Sequence, residues 1–315
     1  MYRIGIDVGG TFTDLVAVDD HGRVVLAKAA STPSDPSLGV MQGLGFLAAE
    51  LDKGLASLLD ETERIVHGTT VATNALLERK GAKVGLLTTE GHRDIIEMRE
   101  GLKDDRYNLR MPPPIPLVPR ALRIGVRERL RFDGTVEIPL SRASLALGVR
   151  TLRQAGVDAV AVCYLHAYRD PRHELATCQY VETRLPEAYL SLSSEVLPQI
   201  KEYERVCTTV VNAYVGPTLS RYLTHLADRL QIAGYRRDVL IMQSHGGVAP
   251  LADAARPSPP LKGSIVWSTP TWRRAFALCQ HDGAWTRDDL HYWRSAAPLV
   301  CTSPKWRATS RFPMW

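Results

Sequence analysis

Residues 5–14, GIDVGGTFTD, limit the fold more than any other stretch, because they join two strand-like segments through a Gly-Gly-Thr turn. The apolar pattern predicts strands over 2–8 and 13–19, and a His-Gly turn leads to a third strand over 23–30. Three strands in immediate succession form an antiparallel meander. This turn therefore leads to a strand, whereas the glycine-rich turn of a dinucleotide-binding unit leads to a helix.

The turn carries residue types that suit a nucleotide triphosphate and its metal. Glycine lets backbone N–H groups approach phosphate oxygens, hydroxyl groups add donors, and a carboxylate can hold Mg²⁺ through water. We predict nucleotide binding by Asp7, Gly9, Gly10, Thr11, Thr13 and Asp14, with Asp7 as the metal residue. The alternative is a tight hairpin in which the glycines supply positive φ and Asp14 caps the turn. G-x-G-x-x-G and Walker spacings are absent.

Helical and strand patterns alternate after the meander. Helices are predicted from about 35, over 71–79, 141–156, 171–184 and 200–230, and strands over 65–67, 83–88, 157–165, 189–193 and 238–243. Gly216-Pro217 predicts a break or kink in the longest helix, and Asp133-Gly134 a type I′ hairpin turn. This order indicates an α/β protein with a mixed sheet.

A second segment, IVHGTTVATNALLERKGA at 65–82, places His67, Gly68, Thr69 and Thr70 between a strand and a helix start. Unpaired amides and the helix dipole favour an anionic or carbonyl oxygen there. His67 could then donate a proton or orient a ligand. The alternative is that Thr69 or Thr70 only caps the helix while the backbone satisfies His67.

The last 60 residues differ from the rest of the chain. Residues 256–315 hold nine Lys/Arg and three Asp/Glu, so the first 255 residues carry 30 basic against 31 acidic side chains. All six Trp lie within 267–315. We interpret 256–315 as an irregular, out-of-frame or otherwise foreign extension; the alternative is a genuine but poorly packed segment. Since the basicity belongs to this tail, nothing indicates a nucleic-acid partner for the main domain.

The five Cys form no CxxC pair or zinc spacing, which is typical of a reduced cytoplasmic protein. The first residues, MYRIGIDVGG, enter a strand pattern at once and lack signal-peptide features. No run of 18 apolar residues exists. We therefore expect a cytoplasmic protein that is neither secreted nor embedded in a membrane.

The strand–turn–strand geometry resembles the phosphate hairpin of the actin, sugar kinase and Hsp70 superfamily, whose two ribonuclease H-like lobes close over ATP. Both segments above, with TTEGHRDIIEMREG (88–101), SSEVLPQIKEYERVCTTVVNAYVGP (193–217) and IMQSHGG (241–247), resemble the hydantoinase A/5-oxoprolinase family. The resemblance runs in order over residues 2 to about 250. It implies ATP and Mg²⁺ as cofactors, a small cyclic amide as substrate and a hydantoinase B-type partner subunit, and it leaves homo-oligomers open.

The resemblance implies that ATP phosphorylates a substrate carbonyl or enol oxygen before hydrolysis or carboxylation. Hydantoin or 5-oxoproline ring opening is the first hypothesis, and ketone activation, as in acetone and acetophenone carboxylases, is the alternative. A sugar kinase is disfavoured because that class does not call for the HGTT and EYER segments. A third hypothesis is a non-catalytic, truncated fragment, because the second, DMGGTSTD-like phosphate loop of the family does not occur here.

Carried over residue by residue, the resemblance places four residues near the substrate as catalytic candidates: His67, Thr69, Thr70 and Asn74. It adds Arg93 and Asp94 of GHRD, Glu202, Tyr203, Glu204 and Arg205 of EYER, and Gln243, Ser244, Gly246 and Gly247. The alternative for GHRD and EYER is a charged pair buried at a subdomain contact or a solvated helix face. For Gly246-Gly247 the alternative is a simple turn.

The expected fold is α/β, with a ribonuclease H-like first lobe, a mixed sheet and a second α/β subdomain. We divide the chain into a nucleotide-binding region (1–110), a connection with five prolines (111–120), an α/β subdomain (121–195), the start of the hydantoinase A core (196–255) and the tail (256–315).

Overall fold

The computed structural model describes residues 1–99, 107–108, 110, 115–243 and 247–255, and these contain two main sheets. The predicted tail, 256–315, and residues 111–114 of the proline-rich connection lie outside the described residues. The first sheet has six strands: β1 (Tyr2–Val8), β2 (Phe12–Asp19), β3 (Val24–Ala30), β4 (Thr62–Thr69), β11 (Val239–Met242) and β12 (Val248–Pro250).

The order of the first sheet is β12-β11-β4-β1-β2-β3. The hairpin pairs β1–β2 and β2–β3 are antiparallel, whereas β4 pairs in parallel with both β1 and β11. Four consecutive neighbours, β3-β2-β1-β4, followed by β11, give the predicted ribonuclease H-like lobe. The prediction of an α/β fold with a mixed sheet is thus confirmed.

The second sheet is wholly parallel, with the order β10-β9-β5-β6. Its strands are β5 (Val84–Thr89), β6 (Arg123–Val126), β9 (Ala159–Cys163) and β10 (Tyr189–Leu192). Every residue of β5 and β9 is buried, as expected for parallel strands covered on both faces. Between β6 and β9 in the sequence, β7 (Arg129–Leu130) and β8 (Val136–Ile138) form a separate two-stranded sheet.

Nine α-helices and one 3-10 helix, Arg120–Leu122, accompany these strands within the described residues. The α-helices are α1 (Pro36–Glu50), α2 (Leu55–Asp60), α3 (Val71–Leu77), α4 (Ile95–Met98), α5 (Arg142–Gln154), α6 (Arg172–Arg184), α7 (Ser193–Val196), α8 (Glu202–Ile232) and α9 (Leu251–Ala255). Helix α1 packs on the first sheet, α5 and α6 pack on the second, and α8 contacts both lobes. In the described part of the chain, no helix combines the length and apolarity needed to cross a membrane.

The sheets do not follow the sequence order of the predicted regions. Strand Val84–Thr89 falls within residues 1–110 yet pairs in the second sheet. Strand Val239–Met242 follows the second sheet in sequence yet returns to pair with β4 of the first. The chain therefore leaves the first lobe after α3, builds the second lobe, and returns through α8.

Of the break or kink predicted at Gly216-Pro217, the break is wrong, because α8 runs without interruption from Glu202 to Ile232, and the kink stays a prediction. Packing holds the helix together across the proline. The bare backbone of Gly216 lies against the Tyr189 ring, and the nearby Tyr214 carbonyl accepts a 2.9 Å hydrogen bond from the Ala82 N–H. Tertiary contacts on both sides thus outweigh the helix-breaking tendency of proline.

The predicted type I′ turn at Asp133-Gly134 is also wrong. A type I′ turn needs positive φ at both central residues, but only Gly134 of this pair has it, at 90°. The Gly134 N–H donates to the Arg131 carbonyl at 3.0 Å, and the Arg131 N–H donates to the Thr135 carbonyl at 2.9 Å. This is the three-residue hairpin loop in which a left-handed glycine follows an ordinary turn.

Candidate functional site

The carboxyl ends of the three parallel strands β1, β4 and β11 meet at one edge of the first sheet. Val8 lies beside Thr69, and Ile241 lies beside His67. Open α/β sheets bind ligands at this edge, where the strand ends and the following loops leave a crevice. The two segments singled out by sequence, the 9–11 turn and 67–74, are therefore neighbours in space.

The turn between β1 and β2 is held from below by Ser31. The Gly9 N–H donates to the Phe12 carbonyl at 3.0 Å, and the Ser31 hydroxyl donates to the Gly9 carbonyl at 2.8 Å. Thr13 is completely buried, with its hydroxyl 3.1 Å from that of Ser31, whereas Gly10 and Thr11 are exposed. Thr13 thus supports the turn, and Gly10 and Thr11 face solvent.

Sequence reasoning missed Ser31. It follows β3 and reaches the turn because the Ser31 N–H donates to the Thr11 carbonyl at 2.9 Å, which extends the β2–β3 pairing. The meander register could have indicated this position, because Phe12 pairs with Ala30, the residue before Ser31.

Asp7 and Asp14 face each other as a cross-strand pair close to the turn of the hairpin. Desolvation raises the pKa of Asp7 above its ordinary value, and the charge of Asp14 raises it further. Asp14 has a cation beside it, since Lys28 Nζ lies 2.8 Å from its carboxylate. Asp7 therefore lacks the compensation that Asp14 has, and a bound cation near Asp7 would be electrostatically favoured.

Thr70 and Asn74 connect the start of α3 to the turn. The Thr70 N–H and hydroxyl both lie 3.2 Å from the Val8 carbonyl, and Asn74 Nδ2 donates to Thr70 Oγ1 at 3.2 Å. A β-carbon built on Gly10 would lie 3.5 Å from Asn74 Nδ2. The Thr69 hydroxyl accepts from the Val71 N–H at 3.2 Å, so Thr69 helps to begin the helix.

His67 points into the protein and not toward the open edge. It is fully buried, and its Nε2 lies 2.7 Å from the hydroxyl of Tyr222 on α8. Burial lowers the pKa of His67 to about 4, and the Ile6 backbone carbonyl offsets only part of this effect. The imidazole is consequently neutral at physiological pH and joins the sheet to α8.

Gln243 follows β11, at the same edge as the other strand ends. Its N–H donates to the Gly247 carbonyl at 2.8 Å, which closes the loop into β12. Ser244 and Gly246, which sequence also proposed, lie outside the described residues.

The GHRD and EYER candidates lie in the second lobe. Asp94 makes two 2.9 Å hydrogen bonds to the Arg120 guanidinium, and the Arg93 Nε lies 3.9 Å from its carboxylate. Arg205 is buried and donates to the Tyr164 carbonyl at 2.7 Å, while Glu202 is exposed at the start of α8. None of these contacts reaches the turn, so the structure does not bring these candidates to the first-sheet edge.

The fold is that of an α/β protein with a ribonuclease H-like lobe. At one edge of its first sheet, this chain presents backbone amides, hydroxyl groups and the Asp7 carboxylate. No group of three or more His, Cys, Asp or Glu in the described ranges is arranged to hold a metal ion by protein ligands alone. Mg²⁺ usually takes one or two carboxylates together with phosphate oxygens and water, so the Asp7 position fits that donor set.

The chain belongs to the hydantoinase/oxoprolinase family. The family model of the hydantoinase/oxoprolinase N-terminal region matches residues 3–185, and the hydantoinase/oxoprolinase model matches residues 205–260. The caprolactamase subunit alpha of Pseudomonas jessenii is 41% identical over 251 residues, 79% of this chain and 36% of that protein. The acetophenone carboxylase gamma subunit of Aromatoleum aromaticum is 34% identical over 259 residues, covering 78% and 35%.

Two solved structures share the fold. The crystal structure of the ATP-dependent caprolactamase from Pseudomonas jessenii matches with a TM-score of 0.74 at 41% identity, covering 81% of this chain and 37% of that one. A nucleotide-free acetone carboxylase structure also matches with a TM-score of 0.74, at 29% identity, covering 82% and 39%. The chain spans somewhat more than a third of the length of these relatives.

Proposed function

We propose that this chain is the N-terminal part of a subunit of an ATP-dependent cyclic-amide hydrolase. The observation that carries the proposal is the approach of Asn74 to Gly10, which joins the glycine turn and the 67–74 segment into one polar surface. The family membership and the ATP-dependent relatives support the same function.

The chain's own residues divide the work at this edge. The exposed backbone at Gly10 and Thr11 offers N–H groups to phosphate oxygens, and Ser31 and Thr13 hold that backbone in place. Asp7 would hold Mg²⁺ through water, which removes the electrostatic cost of its position beside Asp14. ATP, when bound, supplies the phosphoryl group that makes a substrate carbonyl oxygen a better leaving group.

The 67–74 segment is proposed to position the substrate. Asn74 is oriented by Thr70, and Thr70 is anchored on the Val8 carbonyl, so the amide is held beside Gly10. His67 is a positioning residue here, because it is buried and neutral and fixes β4 against α8 through Tyr222. The substrate class is a small cyclic amide such as a hydantoin, 5-oxoproline or a lactam.

Two further elements complete the proposal. A B-type partner subunit would accompany the full-length protein, and the remaining chain of the longer relatives would supply the second ATP-binding lobe. A ketone-activating carboxylase subunit is a second candidate function, favoured by the 34% identity to the acetophenone carboxylase gamma subunit. The non-catalytic fragment is the third.

Binding of Mg-ATP to this chain, measured by calorimetry, tests the proposal. A methyl group at position 10 fits beside Asn74 but would occupy the space through which a phosphate approaches the backbone. We expect Gly10→Ala to weaken Mg-ATP binding by about tenfold or more. The matched control is Gly45→Ala in α1, where an added β-carbon has no neighbour within 4 Å. Equal affinities in the wild type and Gly10→Ala would contradict the assigned turn.

Product analysis separates the remaining candidates. The chain is incubated with Mg-ATP and a purified B-type subunit, together with hydantoin, 5-oxoproline, caprolactam or acetone with bicarbonate. Ring-opened amino acids support the hydrolase, and a carboxylated ketone supports the second function. Mg-ATP binding without any product supports the non-catalytic fragment.

A further inference from the structure

The carboxyl edge of the second sheet gathers a group of basic side chains that the proposed function does not use. We call it the basic cluster: His92, Arg129, His166 and Arg205. His92 follows β5, Arg129 begins β7, His166 follows β9, and Arg205 lies in the first turns of α8. The first three positions follow the ends of the parallel strands β5, β6 and β9, the same location at which the first sheet carries its turn.

Arg205 is the centre of the cluster. It is 2% exposed, and its Nη2 donates to the Tyr164 carbonyl at 2.7 Å. Its Nε and Nη1 have no nitrogen or oxygen acceptor among the residues that the structure describes, and the buried Cys163 thiol is the weak acceptor beside the guanidinium. The guanidinium carbon lies 5.4 Å from the centre of the Tyr168 ring, which supports its planar face. A buried guanidinium with two nitrogens that lack a nitrogen or oxygen acceptor favours an anionic acceptor.

The neighbouring groups are positioned around this guanidinium. Arg129 Nη1 lies 3.0 Å from His92 Nε2, and the His166 ring centre lies 6.0 Å from that of Tyr168. His166 adopts a left-handed backbone conformation with φ of 57°, which a non-glycine residue rarely does. Burial lowers the pKa of both histidines, with Arg129 adding to the effect on His92 and Arg205 on His166.

Two acidic residues whose charges act on His166, Glu128 and Glu202, make no hydrogen bond to Arg205. Both carboxylate oxygens of Glu128 are engaged elsewhere, one by the Thr89 hydroxyl and the other by His173 Nδ1 at 2.8 Å. Glu202 is exposed, and its charge acts on His92 and His166 by raising their pKa values. It therefore makes the imidazoles easier to protonate when an anion arrives.

The cluster is separate from the glycine turn. Arg205 and Tyr222 both lie on α8, 17 residues apart, and Tyr222 contacts His67 of the first sheet. At 1.5 Å per residue this separation is about 25 Å along the helix axis. Arg205 and the Tyr222–His67 contact therefore lie far apart along α8.

We propose that the basic cluster binds the oxyanion group of a small molecule, either a carboxylate or a phosphate. Arg205 supplies the buried donors, Arg129 supplies a second guanidinium that is only half-buried, and the two histidines lie close enough for the arginine charges to act on them. Tyr168 and the Tyr164 carbonyl fix the orientation of Arg205, so the donors are arranged before the ligand arrives.

Calorimetric titration of the full chain with inorganic phosphate and, separately, with glutarate tests the proposal and distinguishes the two sources of the oxyanion. We expect saturable binding of at least one of them. Arg129→Gln should weaken it by about tenfold, because a charge-assisted hydrogen bond is lost. Arg150→Gln, a change at an exposed arginine of α5, should leave it unaltered.

Two further variants keep the test decisive. His92→Gln provides a second change in the cluster if Arg129→Gln does not fold, as judged by circular dichroism. Asp7→Asn should leave anion binding unchanged, which separates this site from the glycine turn. Absence of saturable binding of both anions, or equal affinities in the wild type and the cluster variants, would overturn the proposal.

Discussion

The hydroxyl of Tyr222 lies 2.7 Å from Nε2 of His67, and this contact joins the first sheet to the helix that spans both lobes. His67 comes from β4, whose next residues reach the candidate site, and Tyr222 comes from the middle of α8. The imidazole is fully buried, so the hydrogen-bonded pair lies in the core. Gly68 and Thr69, the next residues of β4, lead from His67 to the candidate site. The backbone position of Gly68 and Thr69 at the candidate site therefore depends on the buried contact between His67 and Tyr222.

Tyr222→Phe should destabilise the protein by about 1–3 kcal/mol, because it leaves a buried imidazole nitrogen without its partner. Urea denaturation followed by circular dichroism measures this change. The control is Tyr180→Phe, which removes a hydroxyl from a half-exposed ring stacked near Arg184. A free energy of unfolding unchanged by Tyr222→Phe would show that the contact contributes nothing to stability.

The stability of the protein should fall as the pH is lowered from 7 to 5. The folded pKa of His67 is about 4, below the ordinary value of 6.5, so the unfolded chain binds more protons between these values. His67 alone then costs about 2 kcal/mol between pH 7 and pH 5. His92 and His166 shift in the same direction, so the measured quantity is the pH slope of urea unfolding in wild type minus that in His67→Gln. Equal slopes would refute the assignment.

Local signals predicted the elements well where the chain determines its own structure. The helices predicted to begin near 35 and 141 are capped at those positions, since the Asp35 carboxylate accepts from the Ser37 N–H at 3.1 Å and the Ser141 hydroxyl accepts from the Ser144 N–H at 3.3 Å. Periodicity also located the β-meander and the glycine turn. These features depend on residues close together in sequence.

Long-range packing decided what the sequence could not. The pattern of Val84–Thr89 indicates a buried strand but not which sheet it joins, because that choice depends on β6 and β9. The burial of His67 depends on Tyr222, 155 residues later, and Glu128 contacts His173 across 45 residues. Continuity of α8 through Pro217 likewise depends on Tyr189 and Ala82. None of these partners leaves a local signal.

Two helical glycines should respond oppositely to alanine. A β-carbon at Gly216 would lie 2.4 Å from the Tyr189 ring, so Gly216→Ala should cost about 1–3 kcal/mol through overpacking. A β-carbon added at Gly45 would meet no atom within 4 Å apart from the adjacent residues and the backbone of its own helix, so Gly45→Ala should stabilise α1 by about 0.5–1 kcal/mol. Thermal unfolding of both variants measures the pair. A stabilised Gly216→Ala would mean that Tyr189 moves aside without cost.

Asp7→Asn should separate binding from stability. Desolvation and the charge of Asp14 raise the pKa of Asp7 in the folded protein above its value in the unfolded chain. Between these two pKa values the native state binds more protons, so the free energy of unfolding declines as the pH rises from one to the other. At neutral pH the electrostatic cost is fully present, and a neutral amide removes it. We therefore expect a slightly higher thermal midpoint together with loss of Mg-ATP binding, measured by thermal unfolding and calorimetry. Asp228→Asn, at an exposed position of α8, should change neither quantity. A midpoint lower than that of wild type would show that the Asp7 carboxylate stabilises the hairpin, which would contradict the electrostatic cost inferred for its position.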